Sequence, residues 1–507
     1  MELSVQRAAL VSAAVGFALF LNSLGLDFCL DDEAAIIRNQ DLLGNASWLS
    51  LFRHDFWGKD ISDRDSHKSY RPLTVATFRL NYMLHELEPL GYHLVNVLLH
   101  SAVVYLYVLL CGVVFSEVWP ALIAGLLFAV HPIHTEGVSG IVGRADLMCA
   151  LFAIISLFCY RNSLEIRANA RRRVFWFVLS LVSTLCAALC KEIGITTSLL
   201  CLAYQISFHK RKSSTQQGVV RPQARQSSVY DLLSALRETV PRGLVLMMFS
   251  VSFLWARLKL NQGPPLFHVD NNPALGFPTP FRQLHWSYLC VYNVWLLLSP
   301  SQLCAEYAMG TIPPVTSLSD PRNLLTLATF AGLLSLSCYS ASYSHSHHRK
   351  IMFGLCLTVL PFLPASNLFF PVGFVIAERV LYIPSMGFCL LVSYGFHLLV
   401  SRPIIKYFSS LAKIVLIFLL LAQSFKTLSR NFEWKDNVML FTSALRVSQT
   451  SAKMWNFVGN THFKAGNNTL PEPYFRKSLE VEPLFPPAHI NLVRILKRQK
   501  RFEEAIE

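Results

Sequence analysis

The chain has 507 residues, 53% of them hydrophobic and 15% charged, with a mean hydropathy of +0.40. A soluble protein of this size needs a larger charged surface, so the composition excludes that class and points to a polytopic membrane protein. The formal net charge of +14 lies in short basic clusters between apolar segments, with no nucleic-acid module beside them, so membrane topology accounts for it and nucleic acid is excluded as a partner.

The first apolar segment, Ala8 to Leu26, carries no ionisable side chain and can span the roughly 30 Å hydrocarbon core as a helix. It is long for a signal peptide and lacks a clear small-residue cleavage site, so it reads as a retained anchor. Just beyond it, Asp31 and Asp32 stand side by side at the membrane surface. Adjacent carboxylates repel, so one is expected to hold its proton more tightly and to suit general-base work near neutrality. The plainer alternative is a solvated helix end. The 12 cysteines form no CxxC pair, and all but Cys29 lie in or at the ends of apolar segments, where they read as small buried hydrophobes.

Further spans are predicted at His93 to Phe115, Ala121 to Val130 with flanks, Ala145 to Tyr160, Val174 to Cys190 and Ile193 to Phe208. Arg161, Arg167 and Arg171 to Arg173 fill one connection, and a second basic cluster fills residues 209–242; both are assigned to the cytoplasm. The stretch Asp27 to Tyr92 then forms a first lumenal loop. Residues 209–242 are also rich in Ser and Gln and read as a mobile linker.

Gly243 to Trp255, His285 to Leu303 and Leu324 to Ser340 follow, ending at the basic run His345 to Lys350. If both basic regions are cytoplasmic, an even number of crossings separates them. The middle segment, with Asn293, Ser299, Pro300 and Gln302, is therefore expected to be re-entrant. Met352 to Leu363, Val380 to Val400 and Phe408 to Phe425 bring the total to about eleven. That odd count puts the C-terminal tail on the side of the acidic loop. The two N-x-[ST] sequons, at Asn45 and Asn467, both fall on that side as candidate N-glycosylation sites.

In the tail, Trp455, Val458, Gly459, Phe475, Ser478 and Pro483 fit the 34-residue tetratricopeptide (TPR) register. Pro471 stands where that pattern wants a small helical residue, so its helix is expected to start late or kink. Two regions result: a transmembrane domain over 1–426 and a partial TPR region over 427–507.

Chemistry-bearing residues gather on the acidic side. They include His54-Asp55-Phe56-Trp57-Gly58, Ser66-His67-Lys68-Ser69-Tyr70-Arg71-Pro72, His131-Pro132-Ile133-His134-Thr135-Glu136, Gly143-Arg144-Ala145-Asp146, Lys191-Glu192 and Ala377-Glu378-Arg379-Val380-Leu381-Tyr382. Any one pair could merely fix a helix end, but ionisable groups beside spans are costly, and several clusters converging on one face argue for a site. The spacing His131-x-x-His134-x-Glu136 lacks a third firm zinc ligand, so these residues read as hydrogen-bonding groups beside a phosphate and no metal is expected. Cations that hold a phosphate leaving group, with a carboxylate that deprotonates an acceptor hydroxyl, suit a lipid-phosphate sugar donor.

Together with the TPR tail, these motifs make the chain resemble the transmembrane and TPR-containing O-mannosyltransferases that target cadherins. The resemblance covers nearly the whole chain. It implies a mainly α, GT-C-type membrane glycosyltransferase of the endoplasmic reticulum. Dolichyl-phosphate mannose would be the donor, with no separate cofactor, and Ser or Thr of cadherin domains, docked on the TPR tail, the acceptor. By the same resemblance Asp31 or Asp32 is the base, and Arg71, Arg144 and Arg379 face the donor phosphate. His131, His134, Glu136, Asp146, Lys191, Glu192 and Glu378 complete the substrate-binding set. Family members carry a longer TPR array than this tail. Two other classes compete. A TPR scaffold or calcium-homeostasis regulator would need the tail but not the acidic loop, and a transporter would place its ionisable residues near mid-bilayer.

Overall fold

The computed structural model describes residues 3–43, 46–165, 169–208, 229–263, 265, 267, 269–342, 346–401, 406–466 and 469–506. The sequons' Asn45 and Asn467, and most of the 209–242 loop, lie outside the described residues. The described residues are helical, with no strand among them.

The membrane region contains α1 (Val5–Phe20), α2 (Pro72–His85), α3 (Pro89–Phe115), α4 (Val118–Val130), the short α5 (Thr135–Val138), α6 (Arg144–Ser163), α7 (Ala170–Cys190), α8 (Thr197–Phe208), α9 (Val229–Asn261), α10 (Phe281–Leu298), α11 (Arg322–Ser342), α12 (Ser346–Val359), α13 (Tyr382–Ser401) and α14 (Lys406–Glu433). Among the described residues, eight helices are long and apolar enough to cross a membrane, and nine if the bent pair Val118–Val130 and Pro132–Val138 counts as one span. The protein is a multi-pass membrane protein.

Contacts near the helix ends orient two shorter helices between the basic and the acidic ends. The 12 residues of α8 rise about 18 Å, and the 3-10 turn Glu192–Thr196 extends them towards the acidic end. At its other end Gln205 reaches Thr239, near where Arg242 bonds the Ser163 carbonyl at 3.0 Å. Helix α12 runs from Lys350, which bonds the Phe115 carbonyl at the basic end, towards Asn367, which meets Asn272 at the acidic end. Both are shorter than the roughly 30 Å hydrocarbon core, so eight or nine spans stand among the described residues where about eleven are expected. Helix α10 is not among them. The Leu297 carbonyl near its C-terminus meets His131, and Cys290 in its middle approaches the Ser366 carbonyl, so it lies at the acidic end, as one continuous helix where a re-entrant element is expected.

Three expectations need correction. The 209–242 loop is shorter than read, because α9 begins at Val229 and runs through Pro241. The stretch 27–92 is more than a loop, since α2 forms within it and exposes Leu80, Met83 and Leu84 along one flank, as an interfacial helix does. The division at 426/427 is also displaced: α14 continues to Glu433. Beyond it one apolar core joins Trp286, Leu297, Tyr307 and Leu381 of the membrane region to Phe441, Ala444, Met454 and Val458 of the tail.

The tail is a run of antiparallel helices, α15 (Asn437–Leu445), α16 (Ala452–Lys464), α17 (Pro471–Val481) and α18 (Pro486–Arg498). Helix α17 starts late, with Pro471 in its first turn, where a missing N–H costs nothing. Gly459 lets α16 and α17 close up, since a Cβ there would meet the Phe475 ring at 2.6 Å. Ser478 ties the same pair together by donating to the Ala452 carbonyl at 2.7 Å.

Candidate active site

The paired carboxylates after α1 have different surroundings. Asp32 is buried, with its two oxygens accepting from the Cys29 and Val142 amides at 3.0 and 2.9 Å. It thereby fastens the acidic stretch to the turn before α6. Burial pushes its carboxyl up to about 7 against the hydrogen bonds from the Cys29 and Val142 amides, and the neighbouring Asp31 charge adds to the rise. The raised pKa expected of one member of the pair therefore falls on the member that faces protein. A carboxyl raised on folding takes up a proton. Its contribution favours the fold at low pH and is lost as pH climbs from the ordinary carboxylate range through 7. Thermal melts of the purified chain are expected to show a loss of stability between about pH 5 and about pH 8 that Asp32→Asn abolishes; an unchanged slope in the variant would assign the loss to another group.

Asp31 is the accessible partner, its side chain 32% exposed. One oxygen, Oδ2, accepts from both Nη1 and Nη2 of Arg379 at 2.9 Å. Oδ1 has no protein donor among the described residues. Arg379 sits in the 3-10 turn that opens the α13 traverse. Its backbone N–H donates to Glu136 Oε2 at 2.9 Å, and its Nε lies 3.5 Å from Oε1. A single guanidinium thus joins a half-buried carboxylate to a buried one.

Two more ion pairs border this group. Arg71 pairs with Glu192 at 3.0 Å, while the Tyr70 amide holds the second oxygen. Lys191 donates to both oxygens of Asp146 at 2.6 Å. Burial lowers the Lys191 pKa against the Asp146 charge, and the nearby positive charges of Arg71 and Arg379 lower it further. His67 is likewise lowered by burial and by Arg71, and it feels the Glu192, Asp55 and Asp31 charges. The loop that carries His67 and Arg71 is fixed by Asp55, which accepts from Ser66 and from the Trp57, Lys59 and His67 amides. Gly58 turns that loop at φ +82°, where a Cβ would run into Asn39.

The structure gathers Asp31, Glu136, Arg379, Arg71, Glu192, Lys191 and Asp146, and it sets the rest of the predicted set apart. Arg144 is fully buried. It donates to Asn96, Asn81, the Tyr92 carbonyl and Thr77, over the Phe78 ring. It faces no opening, so its expected place beside a phosphate is corrected to a post that braces α2 and α3 against α6. Arg144→Lys is expected to lower stability by about 1–3 kcal/mol, since one ammonium cannot satisfy the same acceptors, and to leave the donor KM of the folded fraction unchanged. A raised KM at parental stability would return Arg144 to the donor. His131 bonds the Leu297 carbonyl and the Ile133 amide, and His134 bonds Ser385 at 2.8 Å; both are buried. Glu378 is buried as well, accepting from the Cys304 amide at 2.6 Å and the Tyr307 hydroxyl at 2.8 Å, with Arg430 beyond. These three residues hold helix ends and the turn after α10 rather than an open surface.

One cation escaped the sequence reading. Arg257, near the end of α9, bonds the Lys68 carbonyl at 3.0 Å and lies over the Tyr70 ring, next to the Arg71–Glu192 pair. An arginine at the end of an apolar run was the available signal, and the predicted segment stopped two residues short of it. Chemically, the group offers an accessible carboxylate that can take a proton beside guanidinium and ammonium groups that can hold phosphate oxygens.

A family model described as Protein O-mannosyl-transferase TMTC, DUF1736, matches residues 261–334, the stretch that holds α10 and the Cys304–Tyr307 turn against Glu378. The chain is 40% identical to Protein O-mannosyl-transferase TMTC3 of Mus musculus, over 99% of this chain and 54% of that protein. The chain belongs to the TMTC family. Protein O-mannosyl-transferase TMTC4 of Homo sapiens is 37% identical, over 92% of this chain and 65% of that one. The chain spans about half the length of the TMTC3 relatives of mouse and human. Among solved structures, ArnT from Cupriavidus metallidurans bound to undecaprenyl phosphate aligns over 89% of this chain and 80% of that one, at 11% identity and a TM-score of 0.36.

Proposed function

We propose that this TMTC chain transfers mannose from dolichyl-phosphate mannose to Ser or Thr hydroxyls of cadherin-type domains, with its acidic end in the lumen of the endoplasmic reticulum. Asp31 Oδ1 takes the proton of the acceptor hydroxyl, whose oxygen attacks the anomeric carbon. The bond from that carbon to the phosphate oxygen breaks, and dolichyl phosphate leaves with the electron pair. Arg379, Arg71 and Lys191 hold the charge that develops on the phosphate. The observation that supports this reading is the contact of half-buried Asp31 with Arg379, a carboxylate able to take a proton beside a cation able to bind phosphate oxygens. The relatives' names support mannosyl transfer to protein. With purified chain, label is expected to pass to a cadherin-type domain from dolichyl-phosphate mannose and not from a nucleotide-linked mannose. Transfer from the nucleotide sugar would contradict the lipid donor.

No metal is needed for this step. Asp31 and Asp146, the carboxylates that a divalent ion would recruit, are already paired with Arg379 and Lys191, and guanidinium groups serve phosphate well. Activity is therefore expected to survive EDTA, and strict dependence on Mg²⁺ or Mn²⁺ would contradict the proposed leaving-group stabilisation.

A further inference from the structure

The residue before the proposed base is strained. Leu30 has φ 56°, a left-handed conformation that a branched side chain adopts at a cost and that persists where its surroundings hold it. Its N–H donates to the Asn437 side-chain oxygen at 2.8 Å, across 407 residues of sequence. Asn437 is the first residue of α15 and is set in place by the N-cap Asp436, whose side chain accepts from the Met439 amide. Two more bonds join the same stretches: the Asp27 amide donates to the Lys435 carbonyl at 2.9 Å, and the Cys29 thiol to the Trp434 carbonyl. The root of the tail therefore grips the acidic stretch along 27–30, directly before Asp31 turns towards Arg379.

We infer that Asn437 is a positioning residue for Asp31: its carboxamide holds Leu30 left-handed, and that conformation aims the Asp31 carboxylate at Arg379 and the acceptor hydroxyl. The inference rests on the proposed function for what Asp31 does, but not for where it points. It also changes what the tail is for, since the tail's first helix shapes the site as well as offering a surface for docking.

Three variants of the full chain test it: Asn437→Ala, Leu30→Gly, and the two combined. Asn437→Ala is expected to lower kcat about tenfold, the penalty of a left-handed residue that has lost its support, with the donor KM unchanged. Glycine takes the left-handed region freely, so adding Leu30→Gly to Asn437→Ala should restore most of the lost kcat. A residue that merely stabilised α15 would not be rescued from Leu30. Parental kcat in Asn437→Ala, or no recovery in the double variant, would overturn the inference. A density map of Asn437→Ala gives a readout independent of activity. Asp31 is expected to move away from Arg379, and a retained 2.9 Å contact would overturn the positioning role, whereas the proposed function fails separately if the parental chain transfers no mannose.

Discussion

Asp31→Asn is expected to lower mannosyl transfer by a factor on the order of 10² or more while the chain inserts and folds as before. The amide keeps the shape and an acceptor for Arg379 but cannot take the proton of the attacking hydroxyl. Asp32→Asn is expected to behave differently, because both Asp32 oxygens accept from backbone amides. An amide nitrogen must then face one of those donors, so the variant should lose stability, by about 1–3 kcal/mol, before it loses chemistry. Single-turnover rates and thermal melts on the two variants separate the roles. Parental transfer in Asp31→Asn would remove the base from the account, and a large rate loss in a fully stable Asp32→Asn would move the base one residue on.

Arg379→Ala carries the second large effect, because it strikes both chemistry and fold. Removing the guanidinium leaves Glu136 buried without its cation, an arrangement that costs about 3–5 kcal/mol. It also frees Asp31 from the cation it pairs with and takes a cation from the leaving phosphate, so kcat should fall on the order of 10²-fold or more. Arg379→Lys keeps the charge but cannot meet Asp31 through two nitrogens and Glu136 through a third. It should therefore recover stability more than rate. Equal recovery of both would mean that Arg379 acts as a point charge alone.

The cost of ionisable groups beside apolar spans drew attention to Asp31, Glu136, Asp146, Lys191, Glu192 and Arg379, and helix parity put them on one face, whereas Arg71 came from the motif in the first acidic stretch and Arg257 was missed. Pairing was not legible. Asp31 and Arg379 meet across 348 residues, and nothing local distinguishes that partnership from one between Asp32 and Arg144. Arg144 and Arg379 look alike in sequence, each at the start of an apolar run. What separates them is burial, set by Asn81, Asn96 and Tyr92 on other helices. Asn437 offered no signal, being one uncharged residue at the start of a short helix. The non-crossing nature of α10 was readable because Asn293 and the polar turn after it would be costly in lipid. The first acidic stretch hid α2 because its apolar flank is short and one-sided.

The most direct measurement is mass spectrometry of a purified cadherin-type domain after incubation with the purified chain and dolichyl-phosphate mannose, run beside the Asp31→Asn variant. The account predicts a single hexose on Ser or Thr with the parental chain and almost none with the variant at equal folded protein. Equal modification by both, or none by a folded parental chain, would contradict it.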